Sequence, residues 1–250
     1  MTRTYKIPED LAPGSIFESV QFGFYQVIEY KSNNHIVVKF TDTGYISNPL
    51  LAMHVRNGSV KDYNYPTVVN FGYLGSFGGI KNITKTPLYR KWHGMVKRCK
   101  NPWFKDVTYE DKDVVDEWAS YPEFYAWAIA QKGHDKEGWE LDKDFLVDGN
   151  KIYGPDTCCF IPKYLNGLFR NTKISEQGLP KGVYRYRGKY IARIWLKDKK
   201  VSLGTYESIE EASLAYNSAR NEYLRSLAEY YKEDLEDRVY IKLSTYGQFD

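Results

Sequence analysis

Residues 182–219 read GVYRYRGKYIARIWLKDKKVSLGTYESIEEASLAYNSA, and the hydrophobic pattern changes period partway along them. Val183–Arg187, Lys189–Leu196 and Lys200–Tyr206 are rich in β-branched and aromatic residues, with Gly188 and Lys197-Asp198-Lys199 between them as turns. Three consecutive strands are expected. From Ser208 the apolar residues recur at helical spacing instead: Ile209, Ala212, Ala215 or Tyr216, Ala219, Tyr223 and Leu227. Ser208-Ile-Glu-Glu211 is a capping box, so a long helix should start there and lay that stripe on the sheet. Alternation along the middle strand puts Ala192 and Ile194 on one face and Arg193 and Trp195 on the other. Tyr184, Tyr186, Lys200 and Ser202 should join the second face. A small sheet needs only one face for its core, so an outward Trp among cations calls for a partner.

Charge along the chain points to the kind of partner. The net charge of +3 conceals two basic blocks separated by acidic ones. Residues 81–105 hold eight Lys or Arg and no acid, and residues 181–204 hold eight Lys or Arg against one Asp. Residues 106–160 carry 14 acids against five Lys, and residues 205–238 carry nine acids against four bases. Concentrated positive charge attracts phosphate, and the Tyr and Trp within both basic blocks can stack or pack at the same surface.

Composition narrows the class. The 250 residues are 42% hydrophobic and 27% charged, which describes a globular chain rather than a disordered one. No apolar run approaches the length of a membrane span, and MTRTYKIPED lacks the apolar core of a secretion signal. A cytoplasmic location is expected, in the host cell if the gene is phage-borne. Cys99, Cys158 and Cys159 form no CxxC pair, so a disulfide framework and a Cys-rich zinc site are both disfavoured. They read as small buried hydrophobes.

Outward from the quoted stretch, residues 1–70 read as a β-rich module with strands over Val20–Glu29 and His35–Phe40. GYLGSFGGI (72–80) has four Gly in nine positions, and residues 71–85 read as a linker. Thr86-Pro87 opens a helix with Leu88, Trp92, Met95 or Val96, and Cys99 on its apolar face. Arg90, Lys91, Lys97 and Arg98 lie on its other faces as candidate DNA contacts. Ser120-Tyr-Pro-Glu123 is a second capping box, ahead of Phe124, Trp127 and Ala130. Glu140–Asp144 and Cys158–Ile161 read as short strands around a turn-rich loop, and Pro162 opens a short helix. This middle region spans 86–170, a linker 171–181, and the C-terminal domain with its tail 182–250.

The C-terminal stretch resembles the Apetala/ethylene-response-factor DNA-binding domain. The matching residues are Gly182-Val183, Gly188-Lys189-Tyr190, Ala192, Ile194, Leu203-Gly204-Thr205-Tyr206, Glu210-Glu211-Ala212 and Ala215-Tyr216. The resemblance covers roughly 50 residues and implies a three-stranded sheet, packed on one helix, whose other face enters the major groove of double-stranded DNA. Tyr184, Tyr186, Arg187, Lys189, Arg193, Trp195, Lys200 and Ser202 are then the candidate DNA contacts. Tyr184 and Ser202 stand where the family usually has Arg and Trp, so the base sequence read should differ.

WELDKDFLVDGNKIYGPDTCCFIPKYLNGLF, residues 139–169, resembles the HNH motif of phage homing endonucleases: strand, loop, strand, helix with an Asn. The resemblance implies a ββα unit holding Mg²⁺ or another divalent metal through Asp142 and Asn166. Lys143 falls at the position of the His general base, and Thr157 at that of a bracing Asn. A protonated Lys is a poor base. Asp144 is then the alternative base or second ligand, with Asp142, Lys143 and Asp144 as the catalytic candidates. His134 and His93 are the other imidazoles considered.

The expected fold is therefore α+β: an N-terminal β-rich module, a central HNH-like ββα module, and a C-terminal three-stranded antiparallel sheet packed on one helix. The expected function is a metal-dependent DNA endonuclease directed by its C-terminal sheet. The alternative is a non-catalytic DNA-binding protein, a regulator or a blocker of DNA-acting proteins, with a degenerate nuclease motif. An RNA-binding or protein-partner role is a third possibility.

Overall fold

The computed structural model describes residues 6–103, 111–169, 178–197 and 199–248. The fold is mixed α+β, and the chain divides into two compact units, Met1–Ala126 and Trp127–Asp250. The 1–5 end, residues 171–177 of the expected second linker, and Asp198 of the second turn lie outside the described residues.

The first unit opens with an antiparallel meander of β1 (Ile16–Ser19), β2 (Gly23–Ser32) and β3 (His35–Phe40). The strand expected from Val20 begins instead at Gly23. That Gly takes a left-handed φ of 79°, and the chain turns through Val20–Phe22, so β1 and β2 form a hairpin. Tyr25, Val27, Ile36, Val38 and Phe40 point to one side and are fully buried with Leu11 and Val55. The Tyr25 hydroxyl donates to the Val55 carbonyl at 2.7 Å, just after Ala52 opens the short helix α1 (Ala52–Arg56).

The stretch expected as a linker is packed rather than free. A Cβ on Gly78 would sit 2.0 Å from the Tyr63 ring, and one on Gly72 2.9 Å from Trp92. The glycines there permit close approach of backbone to aromatic rings. Helix α2 (Pro87–Lys100) starts as its sequence dictates, with Thr86 Oγ1 accepting from the Tyr89 N–H and Pro87 in the first turn. Leu88, Trp92, Met95 and Val96 are buried, whereas Cys99 is only half-buried. Trp92 Nε1 donates to the Trp118 carbonyl at 2.7 Å, beyond the two-residue strand β4 (Asp113–Val114). The division between units falls within α3 (Tyr121–Ile129), whose Glu123 N–H donates to Ser120 Oγ.

The second unit contains both regions singled out by sequence. β5 (Trp139–Asp142), β6 (Ile152–Tyr153), β7 (Cys159–Pro162) and α4 (Lys163–Phe169) follow in order. β5 and β7 pair antiparallel, Asp142 opposite Cys159 and Trp139 opposite Pro162, and α4 packs on both. The sheet β8 (Val183–Tyr186), β9 (Lys189–Leu196) and β10 (Lys199–Tyr206) is antiparallel with β9 central. Helix α5 (Ile209–Tyr230) covers one side of it, and α6 (Asp237–Ser244) packs on α5. Val183, Ala192, Ile194, Ala212 and Tyr216 form the core between sheet and helix, so Tyr216 rather than Ala215 fills the inward position. Both halves of the Ser208–Glu211 capping box are made. Among the described residues no helix is long and apolar enough to cross a membrane.

Candidate nucleic-acid interface and metal site

The face of β8–β10 opposite α5 is lined by aromatic rings interleaved with cations. Cross-strand register sets Arg193 beside Ser202 and Trp195 beside Lys200. The Arg193 guanidinium lies 5.7 Å from the centre of the Tyr184 ring. The Lys200 ammonium lies 5.2 Å from the Tyr184 ring and 5.8 Å from the Trp195 ring. Trp195 keeps 56% of its surface exposed, Tyr184 41% and Tyr186 44%. These contacts hold the long side chains upright over the sheet while leaving ring faces and charged ends open to a partner. Lys189 differs from the rest, because its ammonium is paired with Glu207. Arg187, at the tip of the first hairpin, stacks over Tyr186 at 5.2 Å.

The second basic block lies on α2. Arg90 and Lys97, one heptad apart, are exposed, while Lys91 and Arg98 are half-buried. Lys100 is tied to Asp113 at 2.7 Å and covers the Phe71 ring at 4.4 Å. His93 stacks on Tyr89, and burial together with the charge of Lys97 pushes its pKa down, so it is neutral near pH 7. His134 donates from Nδ1 to the Gln131 carbonyl at 2.8 Å.

Of the nuclease-like residues, Asp142, Lys143 and Asp144 lie in sequence at the end of β5, and Asn166 lies on α4. The strand stops at Asp142, earlier than expected, because the Asp142 carboxylate turns the chain. Its Oδ1 accepts the backbone N–H groups of Asp144 at 3.1 Å and Phe145 at 2.7 Å. Asp142 is 7% exposed and Asp144 lies on the surface. Burial, followed by the neighbouring charge of Asp144, raises the Asp142 pKa to about 6. Lys143 points inward. Its ammonium donates to Asp144 Oδ2 and to the Asn150 carbonyl, each at 3.1 Å, near the Tyr153 ring. These contacts orient the Asp144 carboxylate and tie residue 143 to the loop at Asn150. Asn166 sits on α4, half-buried, one residue after the fully buried Leu165. Burial raises the thiol pKa of Cys158 to about 12 and holds that of Cys159 well above its usual value, so both act as apolar packing.

Asn150 and Arg220 have structural roles that escaped the sequence reading, whereas Thr157 was singled out by it. Asn150 donates from Nδ2 to the carbonyls of Lys143 and Ile152, both at 2.7 Å, and so ties the loop after β5 to the start of β6. Thr157 adds a bond to the Ile152 carbonyl at 2.9 Å. The GN pair at 149–150 was a legible turn signal, but its reach back to Lys143 was not. Arg220 of α5 donates from Nε and Nη2 to the Leu168 carbonyl in α4, at 3.3 and 3.1 Å. It also donates to the Tyr246 hydroxyl and lies against the Phe169 and Tyr246 rings. Helix C-termini leave carbonyls without partners, and a cation there satisfies both the bond and the helix dipole.

The donor set suits a hard cation more than a soft one. Asp142, Asp144 and Asn166 offer oxygens, and the crowding of the two carboxylates is the repulsion a bound cation relieves. Among the described residues no group of three or more His, Cys, Asp or Glu is gathered for a metal. Comparison with protein-family models, with curated proteins and with solved structures finds no match.

Proposed function

We propose that this chain binds double-stranded DNA through the open face of β8–β10 and is a metal-dependent DNA endonuclease whose ββα unit hydrolyses the phosphodiester backbone. The observation that carries the reading is the exposed Trp195 and Tyr184 held between Arg193 and Lys200 on the side of the sheet away from α5. A folded domain leaves such a surface open for a ligand with phosphates and flat apolar faces. Arg193 reads base edges, the rings pack on sugars or thymine methyls, and Lys200 meets phosphate. The basic face of α2, with Arg90 and Lys97, supplies further backbone contacts.

For the nuclease half, Asp142 and Asn166 hold the cation on this reading. A bound cation would supply charge stabilisation at the scissile phosphate. Asp144, oriented by Lys143, faces solvent where a water or phosphate approaches. The test is incubation of supercoiled plasmid and genomic DNA with the full chain, with and without Mg²⁺ or Mn²⁺. Metal-dependent cutting that vanishes in Asp142→Ala and Asn166→Ala, with DNA binding kept, supports the proposal. A second reading, a non-catalytic DNA-binding protein, is favoured by the engagement of Lys143 with Asp144 and Asn150. Binding without cleavage under every divalent metal tried would select it.

A further inference from the structure

The two hairpins of the C-terminal sheet are built against local preference. Tyr186 pairs with Lys189, so Arg187-Gly188 is a two-residue turn, with φ of 47° and 79°. Turns of this kind favour Asn or Gly at the first position, since a side chain at positive φ meets its own backbone. Here it is an Arg. At the other end of β9, Leu196 pairs with Lys199, and Lys197 also takes a positive φ, 56°. Five non-glycine residues have positive φ among the described residues, and these are the two cations. Both are exposed. Neither has a carboxylate partner among the described residues, unlike Lys189 with its Glu207. Strain kept at an exposed position, where a better turn residue exists, marks a side chain retained for what it touches.

Their placement indicates what that is. The eight residues of β9 span about 26 Å at about 3.3 Å per residue, roughly twice the ~12 Å width of the DNA major groove. A strand of that length set across the groove carries both hairpin tips past the groove walls, where the phosphates run. Resting on the DNA-binding reading above, we propose that Arg187 and Lys197 are paired backbone clamps. Each contacts a phosphate diester, one at either end of β9, and together they fix the seat of the sheet without reading sequence.

The experiment uses the full chain and a random pool of duplexes of about 30 base pairs, titrated across salt concentrations. Arg187→Gly and Lys197→Gly remove the charges while relieving the backbone, so the fold is expected to hold or to melt slightly higher. Each lost phosphate contact should lower the slope of log affinity against log salt by about 0.9, and the double variant by about 1.8. Sequence preference, read by selection and sequencing from the same pool, should not change. An unchanged slope overturns the clamps, and so does a change in the selected sequence. Tighter binding to a double-stranded RNA of equal length overturns the assignment to DNA. Wild-type protein that binds no duplex at low salt fails the DNA-binding reading itself, a result distinct from the others.

Discussion

Asp142 shows how one side chain serves two opposed demands. Its carboxylate receives two backbone N–H groups, which favours ionisation, yet burial and Asp144 disfavour it more. With a folded pKa near 6 against 3.8 for the free group, the folded chain holds the extra proton between those values. Stability attributable to this group is therefore full below about pH 4 and is lost as pH rises through 6, by up to about 3 kcal/mol. Asp142→Asn keeps the acceptor oxygen without the charge. It is expected to unfold at higher temperature than wild type at pH 8, with the difference closing toward pH 4. Mg²⁺ at pH 8 should stabilise wild type and leave the variant unmoved. Thermal melts across pH, with and without Mg²⁺, measure both; a variant no more stable than wild type at pH 8 would show that the two N–H bonds outweigh burial.

On the sheet face, Arg193→Ala and Trp195→Ala should each weaken sequence-specific DNA binding by about 1–3 kcal/mol and nonspecific binding less. Trp195 is more than half exposed, so its removal should leave the melting temperature nearly unchanged. Equal losses on selected and random duplexes would assign both residues to backbone contact.

At the level of elements, signals local in sequence were the legible ones. Alternation placed Ala192 and Ile194 inward and Trp195 outward, and the three helix starts with a Ser or Thr cap appear where the motif stands. The ββα order was legible for the same reason, since two short strands and a Pro-led helix follow one another directly. The partners of Lys143 were not, because they depend on how the 143–158 loop folds back. Nor was the packing of residues 72–80, since glycine marks a free linker and a tight aromatic contact alike. The capping box of α5 gives a direct check. Ser208→Ala removes the acceptor for the Glu211 N–H and should cost about 1 kcal/mol, read by chemical denaturation. Loss of less than a few tenths would mean that Glu211 alone secures the helix start.

At the level of the whole molecule, Trp127–Asp250 is one compact unit joining sheet and ββα region. Leu224, Leu227, Ala228, Leu235, Val239 and Leu243 are buried around the α5–α6 contact, and Lys242 reaches the Leu146 carbonyl and Asp148. A fragment of residues 127–250 is therefore expected to fold alone and to bind duplex DNA with steep salt dependence. A fragment of residues 178–232 lacks α6 and should be less stable by several kcal/mol, for the loss of buried Val239 and Leu243 alone. Circular dichroism melts of the two compare them; equal stability would show that the sheet and α5 stand without α6.

Under the proposed function, the contact of Arg220 with the end of α4 bears on how the target could change. The Arg220 guanidinium, on the helix behind the open sheet face, and the Lys181 ammonium both donate to the Leu168 carbonyl in the helix that carries Asn166. If the sheet binds DNA as proposed, new specificity is acquired more readily by altering outward side chains of β8–β10 in place than by trading the C-terminal region as a cassette. A transplanted sheet and helix without a cation at that height on α5 would leave the Leu168 carbonyl to Lys181 alone. Recombination junctions that succeed should lie ahead of Trp127, with the ββα region and its sheet inherited together.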